Sequence, residues 1–322
     1  MTSLIARIED AHRAIRPHVL RTPLDRSAKL SAALGCEVLL KLDHLQPTGS
    51  FKLRGATNKI RLVAQEGVHR RVLTASTGNH GRAVAYASTR FAIDATVYMS
   101  ADTQPENVST IEALGAKVQL VEGSALDAEL AARRESERQN IPYVAPYNDM
   151  DTMAGQGTIG LEIAEQTDRL DAAFICVGGG GLMAGAGTAL KDRFPKADVV
   201  GVSPQASRCM LDSLEAGQIV ATPEYETLSD HSTGAVEPGS VTFPVCQAVI
   251  DRTAAVSEIE IARAMHRIAR DEKWIIEGAA GVALAGLVQL ADRYRGGTVA
   301  VVLCGRNVEF ETYMRAMAMA SA

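Results

Sequence analysis

The sequence predicts an α/β protein with two doubly wound open-sheet lobes. Short apolar segments alternate with amphipathic segments along two stretches of the chain, one before Pro146 and one after it. Strands that alternate with helices at this spacing are typical of βαβ units and a parallel sheet. A chain of 322 residues is long enough for two such lobes. We expect ligands at the carboxyl ends of the strands, in the crevice between the lobes.

The first set of elements begins with a helix that the apolar spacing of residues 4–16 predicts. An extended segment around Pro23 follows, because the residue before a proline is disfavoured in the helical conformation. Gly35 is expected to end a second, short helix that begins at Ser27. The further predicted elements are strand 37–42, helix 59–66, strand 72–75, helix 81–91, strand 95–99, helix 105–114, strand 117–121, helix 125–139 and strand 143–144.

The second set contains a helix over residues 257–271, with Ser257 as N-cap and Glu260 completing a capping box. Residues 222–243 are rich in Pro, Gly, Ser and Thr and predict a long loop, the kind of segment that tends to line sites in compact enzymes. The further predicted elements are helix 158–166, strand 172–177, helix 182–194, strand 199–202, helix 207–216, strand 253–256, helix 279–294 and strand 298–303.

Composition excludes several classes of protein. The formal net charge of −5 argues against an electrostatic surface for nucleic acid or membrane. No apolar run approaches the roughly 20 residues of a membrane span, and the charged N-terminal segment does not have the pattern of a signal peptide. The five cysteines lack CxxC spacing, which favours reduced thiols in the cytoplasm. A homodimer is the expectation from base rates alone.

The segment PTGSFKLRGA at residues 47–56 contains a single lysine, Lys52, among small residues and beside Phe51. Gly49 and Gly55 allow the backbone to bend closely on either side. An amine in such a pocket can lose its proton and attack a carbonyl. A surface lysine with a buried stem is the alternative, and this segment alone favours neither.

Two polar or glycine-rich segments directly follow predicted strands. Residues 76–81, STGNHG, open a helix with free backbone N–H groups, which suits a carboxylate or phosphate, although an ordinary strand-to-helix turn has the same pattern. Residues 178–181 are four consecutive glycines, each costing roughly 1 kcal/mol relative to alanine in ordered structure. Close backbone approach to a phosphate accounts for such a run, and a flexible hinge is the alternative. The run matches neither a dinucleotide nor a P-loop pattern.

Two more candidates are Cys304, after the last strand, and Glu277, a carboxylate within apolar sequence. The thiol is neutral unless its pKa is lowered, and a structural role is the alternative. Glu277 either caps the next helix or lines the crevice. The Lys52 amine is a candidate nucleophile, residues 178–181 a candidate phosphate site and residues 76–81 a candidate carboxylate site. Together they suit a cofactor that has an aldehyde and one phosphate. Pyridoxal 5′-phosphate fits, with Lys52 as its Schiff-base partner.

The sequence resembles the fold type II pyridoxal-phosphate enzymes (tryptophan synthase β-like), specifically the group of serine/threonine dehydratases and serine racemase. Five motifs carry the resemblance in the family's order, over nearly the whole chain. They are SFKLRGA at 50–56, STGNHGRAVAYA at 76–87, AGQGTIGLEI at 154–163, GGGGL at 178–182 and EGAAGVAL at 277–284.

The resemblance implies a role for each candidate. Lys52 would be the catalytic residue and covalent cofactor partner. The cofactor would also contact Phe51 at its ring, Asn79 at its 3′-oxygen, Cys304 at its ring nitrogen, Glu277, and Gly178, Gly179, Gly180, Gly181 and Leu182 at its phosphate. Ser76, Thr77, Gly78, Asn79 and His80 would hold the substrate carboxylate. A large domain would comprise residues 1–70 plus 149–322, a small one 71–148, and no C-terminal regulatory domain is expected.

Departures from the family pattern refine the expected reaction. Relatives often have serine in place of Cys304; either side chain is neutral, and a ring nitrogen held unprotonated suits β-elimination better than a long-lived carbanion. Thr77 stands where serine racemase has an acid/base serine, which argues against racemisation. Relatives with a cation site have one carboxylate at the position of Ser203 and another a few residues further on, where this chain has Ser207 and Cys209. These carboxylate ligands are therefore missing, and we expect no metal. Tyr147 is expected to contact the β-substituent of a larger substrate or to serve in packing.

The predicted function is β-elimination from a β-hydroxy-α-amino acid, which gives a 2-oxo acid and ammonia. The family resemblance makes L-threonine or L-serine the expected substrate. Tyr147 suggests phenylserine as an extension. A racemase would use the same residues, and a β-replacement enzyme would need a second nucleophile site. A non-catalytic protein that binds pyridoxal phosphate or an amino acid is the alternative from another class.

Overall fold

Among residues 2–321, which this computed structural model describes, nine strands form two separate sheets. The strands are β1 (Leu24–Arg26), β2 (Glu37–Lys41), β3 (Arg71–Ala75), β4 (Asp94–Ser100), β5 (Lys117–Val121), β6 (Ala172–Cys176), β7 (Asp198–Pro204), β8 (Arg252–Val256) and β9 (Thr298–Val302). The larger sheet has the order β1-β2-β9-β6-β7-β8, and the smaller has the order β3-β4-β5.

Parallel pairing dominates both sheets. Only β1 is antiparallel, to β2, among the ladders of the described residues. Every residue of β6 and β9 is buried. Parallel strands covered by helices on both faces read as continuous apolar runs, which explains the sequences AAFIC and TVAVV. The predicted α/β architecture with two open-sheet lobes is confirmed.

Thirteen α-helices connect and cover the strands of the described chain. They are α1 (Leu4–Ile15), α2 (Ala28–Leu34), α3 (Lys52–Glu66), α4 (Asn79–Arg90), α5 (Pro105–Ala113), α6 (Ala125–Gln139), α7 (Met150–Ala164), α8 (Gly181–Arg193), α9 (Cys209–Ala216), α10 (Thr242–Val249), α11 (Glu258–Glu272), α12 (Gly278–Leu290) and α13 (Phe310–Ser321). The predicted capping box of Ser257 and Glu260 is present, and Gly35 ends α2 with a φ of 69°.

Two helices begin well before their predicted starts. The predictions placed these starts at residues 59 and 158, whereas α3 begins at Lys52 and α7 at Met150. Both early turns contain glycines, and the prediction treated Gly55 as a bend. In the structure these glycines lie where two helices touch: a Cβ on Gly155 would be 2.5 Å from the Arg54 carbonyl oxygen, and one on Gly55 would be 2.8 Å from the Thr152 carbonyl oxygen. Close helix packing therefore explains these glycines.

Other differences are smaller. The strand predicted at residues 143–144 is a single bridge between Leu73 and Tyr143. The predicted loop 222–243 is largely irregular, but α10 begins at Thr242. Neither β1, α10 nor α13 was assigned from the sequence. Pro244 lies in the first turn of α10, where its missing N–H has no helical partner to lose.

Four buried charged side chains connect β2, α3 and α7. The Arg54 guanidinium lies 2.7 Å from Asp43 Oδ2 and 2.7 Å from Glu162 Oε1, and Lys41 Nζ lies 2.5 Å from Glu162 Oε2. Thr22 donates to the same Asp43 carboxylate. Burial alone would raise the pKa of Asp43, but the Arg54 guanidinium holds it below its usual range. Two positive and two negative groups thus compensate one another without solvent.

Within residues 2–321, none of the helices combines the length and apolar character that crossing a membrane requires.

The network yields a stability prediction. Arg54→Met should lower the free energy of unfolding by about 3–5 kcal/mol, because it leaves two buried carboxylates with one cation between them. The control is Arg26→Met, which removes a surface ion pair with Glu37 and should change stability little. Urea denaturation of both variants measures the difference. Equal losses would show that the buried network is not the cause.

Candidate active site

A cavity of about 900 Å³ lies at the carboxyl ends of β3, β4 and β6 and just beyond the end of β9. Strands of both sheets therefore contribute to it, as the crevice prediction requires. All the site residues predicted from the sequence line this cavity: Phe51, Lys52, Ser76, Thr77, Gly78, Asn79, His80, Tyr147, Gly178, Gly179, Gly180, Gly181, Leu182, Glu277 and Cys304.

Lys52 is the first residue of α3, and its side chain forms part of the cavity wall. Its Nζ donates a hydrogen bond of 2.8 Å to the Pro146 carbonyl and lies 5.3 Å from the centre of the Phe51 ring. Burial lowers the Lys52 pKa to about 8, although Cys304 and Glu277 act in the opposite direction. A substantial fraction of the amine is therefore neutral near physiological pH, as a nucleophile requires.

The glycine run leads from β6 directly into α8. Gly180 is the N-cap of α8 and has a φ of 87°, in the left-handed region that favours glycine. A Cβ on Gly178 would lie 2.7 Å from the Ser232 carbonyl oxygen, and one on Gly179 would lie 2.6 Å from the Tyr147 ring. The first N–H groups of α8 have no partners inside the helix. The run thus presents donors to the cavity at a place where side chains do not fit.

The segment after β3 turns sharply into α4. Ser76 Oγ accepts a hydrogen bond of 3.2 Å from the Gly78 N–H, and Gly78 is the N-cap of α4 without a capping side chain. The Thr77 side chain is exposed in the cavity. Asn79 is buried and donates from Nδ2 to both oxygens of Glu277, at 3.0 Å each.

His80 is buried and neutral. Its Nε2 lies 2.9 Å from the Val144 carbonyl, which can only accept, so the proton is on Nε2. Burial and then the charge of Lys52 lower the pKa of His80 to about 3. His80 therefore fixes the segment that contains Val144, and it supplies no positive charge to the cavity.

Glu277 is a buried carboxylate at the start of α12. Its oxygens accept from Asn79 and from the Asn307 N–H at 3.1 Å, and Oε2 lies 3.5 Å from His231 Nδ1. Its side chain does not cap α12, so of the two predicted positions the crevice is the one observed. A Cβ on Gly305 would lie 2.4 Å from the Glu277 carboxylate carbon, so the carboxylate packs directly against this backbone.

Cys304 is buried just after β9, and its carbonyl accepts a hydrogen bond of 2.9 Å from the Phe51 N–H. Burial, reinforced by the charge of Glu277, raises the pKa of this thiol well above its usual value. Cys304 therefore presents a neutral thiol to the cavity. The bond to Phe51 also ties the end of β9 to the start of α3.

Tyr147 and the ion pair of Arg133 and Glu237 also line the cavity. The Tyr147 ring packs on Gly179, and its hydroxyl accepts a hydrogen bond of 3.1 Å from the Glu237 N–H. The Glu237 carboxylate lies 2.8 Å from Arg133 of α6 and accepts a 2.9 Å hydrogen bond from Asn148. The long loop before α10 is thus joined to α6 by side chains that line the cavity.

Several of these residues were not identified from the sequence. His231, Arg133 and Glu237 line the cavity, and none was predicted as a site residue. The composition of residues 222–243 did predict a loop lining a site, and two of the three belong to it. Nothing in the local sequence indicates which loop residues point inward, because Glu277 and α6, their partners, are distant along the chain.

Four helices begin at the cavity. Their first residues are Lys52 of α3, Asn79 of α4, Gly181 of α8 and Gly278 of α12, each lining the cavity or following a residue that does. Helix N-termini carry partial positive charge and free N–H groups, so they favour anions. This field, a half-buried amine of lowered pKa and a neutral thiol fit a pyridoxal phosphate, whose phosphate is anionic and whose aldehyde reacts with amines.

Within residues 2–321, no group of three or more His, Cys, Asp or Glu side chains is arranged to hold a metal ion. Ser203 stands where relatives with a cation site have a carboxylate. Its hydroxyl donates a hydrogen bond of 2.7 Å to the Val177 carbonyl. The absence of a structural metal stays a prediction.

Comparison with known proteins agrees with this geometry. A family model described as "Pyridoxal-phosphate dependent enzyme" matches residues 15–305. L-threonine ammonia-lyase of Thermotoga maritima is 38% identical over 303 residues, covering 94% of this chain and 75% of the relative. The processed form of threonine deaminase isoform 2 from Solanum lycopersicum has a TM-score of 0.94 at 31% identity, covering 99% of this chain and 94% of that one.

A structure of maize serine racemase has a TM-score of 0.90 at 27% identity, covering 98% of this chain and 96% of that chain. The fold type II architecture inferred from the motifs is therefore confirmed. The family match over most of the chain, together with the site geometry, shows that this protein belongs to the pyridoxal-phosphate-dependent enzymes and that pyridoxal 5′-phosphate is its cofactor.

Proposed function

We propose that this protein is a dehydratase that removes water from a β-hydroxy-α-amino acid and releases a 2-oxo acid and ammonia. L-Threonine and L-serine are the proposed substrates. The observation that carries the proposal is the Lys52 amine, half-buried with a pKa of about 8, which lines the same cavity as the glycine run. Relatives named as threonine ammonia-lyases support the reaction type.

The residues around the cavity divide into three proposed groups. The N–H groups of Gly178–Leu182 would hold the cofactor phosphate, and Lys52 would hold its aldehyde carbon. Phe51, Cys304, Asn79 and Glu277 would surround the ring, with the neutral Cys304 thiol at the ring nitrogen. Because Asn79 Nδ2 is bonded to Glu277, its proposed contact with the 3′-oxygen requires it to share or exchange that bond.

When bound, the cofactor supplies an electron sink that makes the Cα–H of an attached amino acid acidic. The residues of this chain then move the proton. Once free, the Lys52 amine can accept the Cα proton, since its lowered pKa keeps it neutral in part of the population near pH 7–8. With the neutral Cys304 thiol at the ring nitrogen, no anionic partner would hold a proton there, which suits β-elimination better than a long-lived carbanion.

The segment from Ser76 to His80 would bind the substrate carboxylate at the start of α4. His80, being neutral and bonded to Val144, would contribute by shape rather than by charge. Tyr147 packs on the glycine run and bonds the Glu237 backbone, which supports a packing role. A contact between this ring and the aryl group of phenylserine is the extension that we propose for a larger substrate.

We also propose a domain division, a cellular location and an oligomeric state. Strands β3–β5 form a sheet of their own within residues 71–148, which supports a small domain over that range and a large domain of residues 1–70 plus 149–322. The five cysteines are all unpaired and buried, which supports a reducing, cytoplasmic location. A homodimer remains a proposal from base rates.

The catalytic assignment predicts that Lys52→Ala abolishes both the cofactor's absorbance shift with substrate and the release of 2-oxo acid. A coupled 2-oxo-acid or ammonia assay across the stereoisomers of serine, threonine, hydroxyaspartate and phenylserine measures turnover. Lys196→Ala, at an exposed position, is the control and should retain full activity. Turnover like that of the wild type in Lys52→Ala would refute the assignment.

The same assay in deuterium oxide tests racemisation. A dehydratase should release 2-oxo acid while recovered substrate keeps its chirality. Inverted substrate carrying deuterium at Cα, without 2-oxo acid, would favour the racemase.

The phosphate assignment predicts a selective loss in Gly180→Ala. An added Cβ strains the backbone at φ 87° and would lie 2.8 Å from Met210 Cε. Because the displaced N–H groups would no longer meet a charged phosphate, affinity for pyridoxal phosphate should fall by about tenfold or more, and affinity for unphosphorylated pyridoxal much less. Absorbance titration of the apoprotein measures both.

Gly217→Ala is the matched control, since Gly217 has a φ of 69° with nothing within 4 Å of an added Cβ. It carries similar backbone strain away from the cavity. Equal losses for the phosphorylated and unphosphorylated forms in Gly180→Ala would contradict the assignment.

A further inference from the structure

His231 lies in a short 3-10 turn, Asp230–Ser232, within the long loop before α10. Its side chain is 24% exposed and lines the cavity. The turn packs closely against the glycine run, since a Cβ on Gly178 would lie 2.7 Å from the Ser232 carbonyl oxygen. The imidazole is therefore a fixed part of the cavity wall.

The ring lies between Glu277 and Gly78. Nδ1 is 3.5 Å from Glu277 Oε2 and 3.7 Å from Asp230 Oδ1. On the other side, a Cβ added to Gly78 would lie 2.7 Å from Nε2, and the three atoms nearest to it would all belong to the His231 ring. Gly78 thus makes room for this imidazole, and Nε2 lies at the segment proposed to bind the substrate carboxylate.

The charge state follows from the groups that face the ring. Burial and Arg82 lower the pKa of His231, but Glu277 and Asp230 outweigh them and raise it to about 9. The imidazole is therefore cationic at neutral pH and loses its charge only as the pH rises through about 9. In the cationic form both nitrogens are donors, so pairing with Glu277 through Nδ1 leaves Nε2–H for another acceptor.

The other basic side chains that line the cavity, within the described chain, are engaged or neutral. Arg133 is paired with both Glu129 and Glu237. His80 is neutral, and Lys52 is the proposed partner of the cofactor aldehyde. A carboxylate bound at Ser76–Asn79 would also lie near the negative charge of Glu277, since Asn79 contacts that carboxylate directly.

From this geometry we infer that His231 is a substrate-binding residue whose imidazolium holds the α-carboxylate of the amino acid against the Ser76–Asn79 segment. The inference rests on the proposed function and adds the cation of its carboxylate site. Glu277 keeps the imidazole charged, and the bare Cα of Gly78 lets it approach.

The test compares two probes on the cofactor-loaded protein at pH 7.5, where His231 is cationic. L-Alanine carries the carboxylate and L-alaninamide does not, and neither has a leaving group at Cβ. Apparent dissociation constants come from the change in absorbance of the bound cofactor. His231→Gln should weaken L-alanine binding by about tenfold or more, the loss expected for one charge-assisted hydrogen bond, and change L-alaninamide binding less than about twofold.

Two further variants separate this role from a structural one. His266→Gln, on α11 away from the cavity, should affect neither probe. Gly78→Ala retains the histidine but places a methyl group where the ring lies, and it should lower the preference for L-alanine over L-alaninamide as His231→Gln does. This variant keeps the inference testable if His231→Gln does not fold.

Equal weakening of both probes in His231→Gln, or no weakening of either, would overturn the inference and leave the dehydratase assignment intact. If the wild-type protein shows no cofactor response to L-alanine and no 2-oxo acid from any β-hydroxy amino acid, the proposed function fails and the inference fails with it.

Discussion

The position of the Lys52 amine depends on a set of buried charges. Arg54 lies two residues after Lys52, in the first turn of α3, and it is held between Asp43 and Glu162 without access to water. Charges buried in this way are stable only while paired, so β2, α3 and α7 cannot shift independently. The constraint extends to the glycine run, because α7 packs backbone to backbone on α8: a Cβ on Gly185 would lie 2.3 Å from the Met153 carbonyl oxygen. One packed unit therefore sets both the lysine and the start of α8.

Around that unit the cavity balances opposite charges. Four helix N-termini supply a positive field suited to a phosphate and a carboxylate. Against it stands Glu277, a buried carboxylate that needs donors on every side and finds them in Asn79, Asn307 and His231. The field alone would favour anions anywhere in the cavity. A fixed negative group in the cavity wall, with the His231 ring 3.5 Å from it, restricts where a second anion can bind.

The sequence allowed the cavity residues to be predicted because their chemistry is local. A lone lysine among glycines, four consecutive glycines after an apolar strand and a polar turn before a helix together indicate a ligand without knowledge of tertiary contacts. The predicted starts of α3 and α7 were wrong because Gly55 and Gly155 lie where these two helices touch. Only the folded structure shows that contact. His231 was missed for the same reason, since its charge depends on Glu277, which meets it only in the fold.

The ion pair between Arg133 and Glu237 has a consequence for how the two sheets are held together. It joins a helix packed on the small sheet to a loop that returns to the large one, and both side chains line the cavity. The pair therefore links the two sheets through side chains that line the cavity. Because both side chains are partly solvated, added salt weakens their attraction. The ionic strength of the medium thereby acts on this link between the sheets, while the buried ion pairs of Arg54 are screened much less.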